Sequence, residues 1–174
     1  MFEIETARCR VRTWRNESRD LAALTRWTRD ARMMRFITGE TWNDDQRAMF
    51  LERQAAYLRD VGMCFGPVEH RLGEQVIGLA GMSPLEHVAE YQVGWWIDPE
   101  WQGKGLATEL ARGLIRHAFD VLGMTRVLAV MYPGNHASRT VAERAGMRFL
   151  ETRLASEIES RWKAEPCHVY VAEA

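Results

Sequence analysis

The sequence has no long apolar run: nothing in its 174 residues approaches the roughly 20 consecutive apolar positions of a membrane helix. Cysteine is scarce as well. Cys9, Cys64 and Cys167 are odd in number and far apart, without metal-ligand spacing, which excludes a fully paired disulfide framework and a clustered metal site. Residues Met1 to Arg12 alternate charged and apolar side chains and lack the apolar stretch of a signal peptide. A reduced, cytoplasmic protein is therefore the expectation. Neither sign of charge dominates: 23 basic and 24 acidic residues leave a formal net charge of −1. That balance argues against direct nucleic-acid binding while leaving room for a local basic patch. No repeat, low-complexity tract or linker divides the chain, so residues 1–174 read as a single domain with no membrane attachment.

What is present is an alternation of strand and helix patterns. Residues 8–14 alternate with period two and read as a first strand. Ser18 has the chemistry to cap a helix whose stripe carries Leu21, Leu24, Trp27 and Thr28. Asn43-Asp44-Asp45, after Trp42, begins a second helix that Gly62 ends. Strands are expected at about 63–69 and 75–82, separated by the turn-like residues 71–74, with a third at 90–97. An amphipathic helix follows over 103–122, with Leu106, Leu110, Leu114, Ala118 and Val121 on one face. A short, continuous apolar strand over 125–132 then suits a βαβ crossover. A last helix is expected over 138–145, with closing strands near 147–154 and 167–172. The fold class is mixed α/β.

The chemistry concentrates where strand 90–97 meets Asp98-Pro99 and then Gln102-Gly103-Lys104-Gly105-Leu106-Ala107-Thr108. Glycines at 103 and 105 let backbone amides approach a bulky anion, and the first helical turn supplies unpaired N–H groups. Such an arrangement either binds a pyrophosphate or merely builds a tight strand-to-helix turn. Two other phosphate motifs fail: Lys104 is followed by Gly105 rather than Ser or Thr, and three glycines at dinucleotide spacing are absent.

The wider pattern resembles the GNAT superfamily of acetyltransferases. Gln102, Gly105 and Ala107 match that family's Gln/Arg-x-x-Gly-x-Gly/Ala motif. Gly94-Trp95-Trp96, Asp98-Pro99 through Thr108-Glu109, Pro133-x-Asn135-x-x-Ser138 and Gly146-Met147 are similar to its ribosomal-protein N-terminal acetyltransferase (Rim-like) subgroup. The resemblance spans nearly the whole chain. It implies a twisted mixed sheet, flanked by helices on both faces and splayed between central strands 90–97 and 125–132. It also implies acetyl-CoA as cosubstrate, without a metal. Pantetheine would pair near Trp96 and Ile97, and the amides of 102–107, with Thr108, would hold the pyrophosphate. Asn135 would lie near the pantetheine and Ser138 near the sulfur. A homodimer is a further expectation, dimers being common in that family.

One position departs from the pattern. Where family members often place a glutamate base, two residues before the strand glycine, this chain has Gln92, which cannot take a proton. Glu90 is two residues earlier and expected on the same strand face, from which it could act through a water. His87 is a weaker candidate base. Ser138 either serves the departing thiolate or only caps its helix, and Asn135 is either a ligand or a turn residue. Trp42 is expected near the mouth of the acceptor site, with Glu40, Asp44 and Asp45 placed either to attract a cationic amine or simply as a solvated acidic loop. The resulting expectation is acetyl transfer to a small-molecule amine or a protein N-terminus. The alternative is a non-catalytic acetyl-CoA-binding module.

Overall fold

The computed structural model describes every residue except Met1, Asn16 and Glu74. Met1 of the amino-terminal segment and Glu74 of the expected 71–74 turn thus lie outside the described residues. The strands are β1 (Glu3–Glu5), β2 (Cys9–Arg12), β3 (Phe65–His70), β4 (Gln75–Pro84), β5 (Tyr91–Ile97), β6 (Arg126–Met131), β7 (Arg148–Leu154) and β8 (Pro166–Glu173). The helices are α1 (Ser18–Arg29), α2 (Ala31–Met34), α3 (Asp44–Val61), α4 (Leu106–Asp120) and α5 (His136–Arg144). All eight strands join one sheet in the order β1-β2-β3-β4-β5-β6-β8-β7. Its first five strands form an antiparallel meander, β5 and β6 run parallel, and β6-β8-β7 close it antiparallel.

The parallel step is the βαβ crossover read from the sequence, with α4 as its helix. Leu110 and Leu114 of α4 are fully buried beside Ile77, Val93 and Val127. Burying a leucine side chain contributes about 1.5–3 kcal/mol, so this stripe secures the helix. A second cluster gathers Leu24 and Trp27 of α1, Met34 of α2 and Phe50 of α3 against Val76 and Leu79 of β4. The side chains of β4 alternate between the two clusters, and Ile77 is an extra residue that shifts the alternation, so that Ile77 and Leu79 face opposite clusters: Val68 pairs with Gly78 and Glu69 with Val76. Such a bulge interrupts the strict alternation of a strand. A third cluster, including Leu128, Val169 and Val171, underlies the β6-β8 half.

Three local expectations shift. Strand β1 carries too short a pattern to stand out and forms by pairing Ile4 with Val11 of β2. Ser18 is not a cap: Glu17 occupies that position without a side-chain bond, and Ser18 is the first residue of α1. Helix α5 begins at His136, two residues earlier than its pattern indicated, because Asn135 rather than Ser138 caps it. By contrast, Asn43 and Gln46 form a reciprocal capping box on α3, and Gly62 ends that helix at φ 72°. No described helix is long and apolar enough to cross a membrane.

Beneath β2 and β3 lies a buried ion network. Arg12 donates to both Asp20 oxygens at 2.8 Å and to Glu69 at 2.7 Å, and all three residues are 2% exposed or less. Burial alone would raise both carboxyl pKa values. Bonds from Arg12, joined by the Arg15 amide at Asp20 and by Arg10 at Glu69, outweigh it and hold both below their ordinary range. Depressed carboxylates contribute stability above their unfolded pKa values and lose it as pH falls through the folded ones. Breaking such a pair leaves an uncompensated buried charge, at a cost of about 3–5 kcal/mol. Asp20→Asn should therefore lower urea stability at pH 7 by about that amount. The variant should also show a shallower loss of stability on acidification below about pH 4 than the parent. An unchanged urea midpoint would show that the network contributes nothing net.

Candidate active site

The two central strands part company almost at once. Gln92 opposite Leu128 is the single register position joining β5 to β6, so the rest of β5 on that edge has no strand partner among the described residues. Backbone amides and carbonyls there are obligatory hydrogen-bonding groups, and an extended amide-bearing ligand can complete them. The gap opens into a cavity of about 730 Å³. Trp96 and Ile97, expected to contact pantetheine, both line it.

At the carboxyl end of β5 the chain is tied before it turns. The Asp98 carboxylate accepts from Trp27 Nε1 at 2.8 Å, from Arg26 at 2.5 Å and from the Glu100 amide at 3.1 Å. Although burial opposes ionisation, these donors keep its pKa below the ordinary value. Gln102 then folds back, its Nε2 donating to the Ile97 carbonyl at 2.8 Å. Gly103 and Gly105 follow at φ 76° and 77°, the left-handed region where side chains are strained. Glu109 is the first α4 residue whose amide bonds back, to the Gly105 carbonyl at 3.1 Å. The amides of residues 103–108 have no backbone acceptor among the described residues. They present a cradle of free amides of the kind that suits an anion, and Gly103, Gly105, Leu106, Ala107 and Thr108 line the cavity beside Gln102.

The Lys104 side chain does not line the cavity. Its ammonium lies 4.4 Å from the Trp101 ring centre and donates to the Glu100 carbonyl at 3.1 Å. The Lys104 carbonyl is gripped from outside by Arg8 at 2.9 Å. Arg8 also binds Glu109 of α4 through its backbone amide and its Nε, each at 2.7 Å, while Thr6 donates to the same carboxylate at 2.6 Å. This clamp holds the first turn of α4 against the β1-β2 hairpin. Nothing in the local sequence pattern pointed to it, since its partners are about a hundred residues apart.

On the far wall, the Asn135 side chain accepts from the Ser138 amide at 3.1 Å. Its amide nitrogen has no hydrogen-bond partner among the described residues, so the capping role does not preclude a ligand role. The Ser138 hydroxyl has no hydrogen-bond partner among the described residues and lines the cavity. Gln92 also lines it, and is fixed by a bond from its Nε2 to Ser83 Oγ at 3.1 Å. Tyr132 and Cys167 join the wall near one another. Burial, with Glu165 and Cys167 adding to it, raises the Tyr132 phenol, and burial pushes the Cys167 thiol up to about 11. Both stay protonated at neutral pH.

Glu90 falls elsewhere, which corrects the expectation that it shares the working face of Gln92. It precedes β5, lies outside the cavity lining, and faces Arg126 at 3.4 Å. The parallel register explains this: with Gln92 opposite Leu128, the residues two earlier on each strand are Glu90 and Arg126. His87 and the exposed His136 are also outside the lining. Trp42 is buried at the cavity edge, packed 5.4 Å from Phe50 and 6.0 Å from Trp96. Glu40 lies 3.9 Å from Lys163, and Asp44 is bound by Arg47, so neither lines the cavity. Among the described lining residues there is no aspartate, glutamate or histidine, and the charged side chains are four arginines: Arg32, Arg53, Arg144 and Arg161.

A mixed eight-stranded sheet, parted at its one parallel step, is the architecture of a GNAT-type acetyltransferase. The sequence matches the Acetyltransferase (GNAT) domain over residues 8–148, and the chain belongs to that family of N-acetyltransferases. Among its relatives is an uncharacterized N-acetyltransferase, YnaD, of Bacillus subtilis. It is 27% identical over 155 residues, covering 84% of this chain and 83% of its own. An acetyltransferase from Agrobacterium tumefaciens superposes with a TM-score of 0.83 at 20% identity, over 100% of this chain and 95% of the other. RimL, a ribosomal L7/L12 α-N-protein acetyltransferase solved with coenzyme A, superposes at 0.79 with 13% identity, over 99% and 98%.

The cradle yields a direct test. Gly105→Val places a branched side chain at φ 77°, at a strain of about 1–2 kcal/mol that must distort the amides. Affinity for CoA, measured by calorimetry, should fall about tenfold or more. Undiminished affinity would remove the cradle from cofactor binding.

Proposed function

We propose that the chain transfers the acetyl group of acetyl-CoA directly to a primary amine, on a protein N-terminus or a small molecule. The observation that carries this reading is the continuous path from the amide cradle at 103–108, along the unpaired edge of β5, to the unpartnered hydroxyl of Ser138. The residues fit the cofactor. Amides of 103–108 and the side chain of Thr108 suit its pyrophosphate, the edge at Trp96 and Ile97 its pantetheine amides, and Asn135 a further polar group of that arm. When bound, the cofactor supplies an activated thioester.

The remaining steps fall to the protein. The β5 edge amides can donate to the thioester oxygen as it gains charge. Ser138 donates a hydrogen bond to the sulfur as it leaves as a thiolate, and the protonated Tyr132 stands as a second donor on the same wall. Without a carboxylate or histidine on the lining, the amine must arrive neutral or lose its proton to water. An α-amine of pKa about 7.7–8.0 is roughly a tenth neutral at pH 7, whereas lysine at about 10.4 is neutral in only a few parts per ten thousand. That gap corresponds to about 3–4 kcal/mol, and it favours a low-pKa amine over a lysine side chain. Gln92, tethered to Ser83, acts as a fixed polar group rather than as a base. Glu90 has no role.

The missing carboxylate is also what favours a binding-only module as the second reading. Release of CoA above the enzyme-free rate, with a panel of amino-terminal peptides and small amines, decides between them. Ser138→Ala should lower kcat by about tenfold or more while leaving CoA affinity within about twofold, since the hydroxyl acts on the leaving group. Equal kcat in variant and parent would relieve Ser138 of that role. The pH dependence offers a separate check. With no protein base, log(kcat/KM) for an α-amine acceptor should rise with pH and level off near the amine's own pKa of about 8. A plateau beginning near pH 6 would reveal a base on the protein.

A further inference from the structure

Helix α3 lines the cavity through Phe50, Arg53, Gln54 and Tyr57. Gln54 accepts from the Phe65 amide at 2.8 Å, and Phe65 pairs with Gly81, which pairs with Gly94 of β5. The α3 segment that carries Arg53 is thereby tied to the sheet through Phe65, and Arg53 lines the cavity. Its guanidinium lies 6.0 Å from the ring centre of Phe50, which itself stacks on Trp96. Arg53 Nε is buried without any hydrogen-bond partner, and no carboxylate forms an ion pair with this side chain among the described residues. Nearby Glu159 gives its bond to Arg161 instead.

A buried donor left unmade is costly, and an arginine cannot escape the cost by losing its proton. Burial, then the like charge of Arg161, works against the Arg53 cation. Both arginines line the cavity; Glu159 pairs with Arg161, while no carboxylate forms an ion pair with Arg53 among the described residues. A planar guanidinium held on an aromatic floor is built to take a carboxylate or phosphate through two parallel bonds.

We infer that the acceptor is an amine that also carries an anionic group, a carboxylate or a phosphate, which docks on Arg53 with Arg161 beside it and so presents the nitrogen to the thioester. This rests on the transfer reading above and narrows it. The anion lies several bonds from the nitrogen, because Arg53 is on α3 while the β5 edge and Ser138 form the opposite wall. Cationic polyamines are disfavoured by the same charges.

The test uses pairs matched in amine pKa: glutamic acid α-amide against glutaminamide, and O-phosphoserine amide against serinamide. Turnover is followed by CoA release. Separately, binding of the N-acetylated forms to CoA-loaded protein is followed by calorimetry, which needs no catalysis. The charged member of at least one pair should be preferred about tenfold or more in both measurements. Whichever pair shows the preference identifies carboxylate or phosphate. Arg53→Gln should bring that ratio close to one while CoA affinity and melting temperature hold, and Arg53→Lys should retain part of it. Equal binding of charged and neutral members, or a preference that survives in Arg53→Gln, would overturn the inference. Preferential binding without turnover would support the anion site and refute the transfer reading. Turnover of neutral amines with no charge preference would do the reverse.

Discussion

The parallel contact between β5 and β6 is the constraint on which the site depends. Only Gln92 and Leu128 are in register, so the rest of that β5 edge has no strand partner among the described residues. An open edge inside a protein is unfavourable unless something completes its hydrogen bonds. On the proposed reading a bound ligand completes them, and the junction serves as the binding cleft. The flanking layers hold the junction in shape: α4 packs on β5 through a fully buried leucine stripe, while the aromatic cluster of Trp42, Phe50 and Trp96 supports the other side.

Two polar ties aim the cradle. Asp98 links the end of β5 to Trp27 and Arg26 of α1, and Glu109 links the first turn of α4 to Thr6 and Arg8. Each carboxylate is consumed in positioning backbone. The cavity is left with arginines, amides and hydroxyls, and its electrostatics follow from that division. Carboxylates near the site serve structure, and the charged side chains on the described lining are arginines. A site of this kind suits an acceptor that brings its own negative charge and is already partly deprotonated at neutral pH.

Much of this was legible along the chain. The glycine spacing at 103 and 105, the proline after Asp98, the capping sequence at Asn43 and the apolar stripe of α4 all act through neighbours within about four residues, so they can be read locally. The order of motifs was enough to resemble one family over almost the whole length, and the splayed sheet follows that expectation. Helix α5 and Ser18 were misplaced by a residue or two because several polar residues in a row can each cap a helix, and the final choice rests on backbone geometry.

By itself, then, the sequence determined the fold class, the cradle and the absence of a glutamate at Gln92, since all three reside in local backbone chemistry or in a single residue's identity. Tertiary structure alone decided the fate of the charges. The register of β5 on β6 put Glu90 against Arg126, the β1-β2 hairpin brought Arg8 to Glu109, and α3 carried Arg53 into the cavity with no ion-pair partner among the described residues. The physical reason is that an ion pair forms between whichever side chains the packed strands and helices bring within a few ångströms. That adjacency has no signature in the spacing of residues thirty or a hundred positions apart.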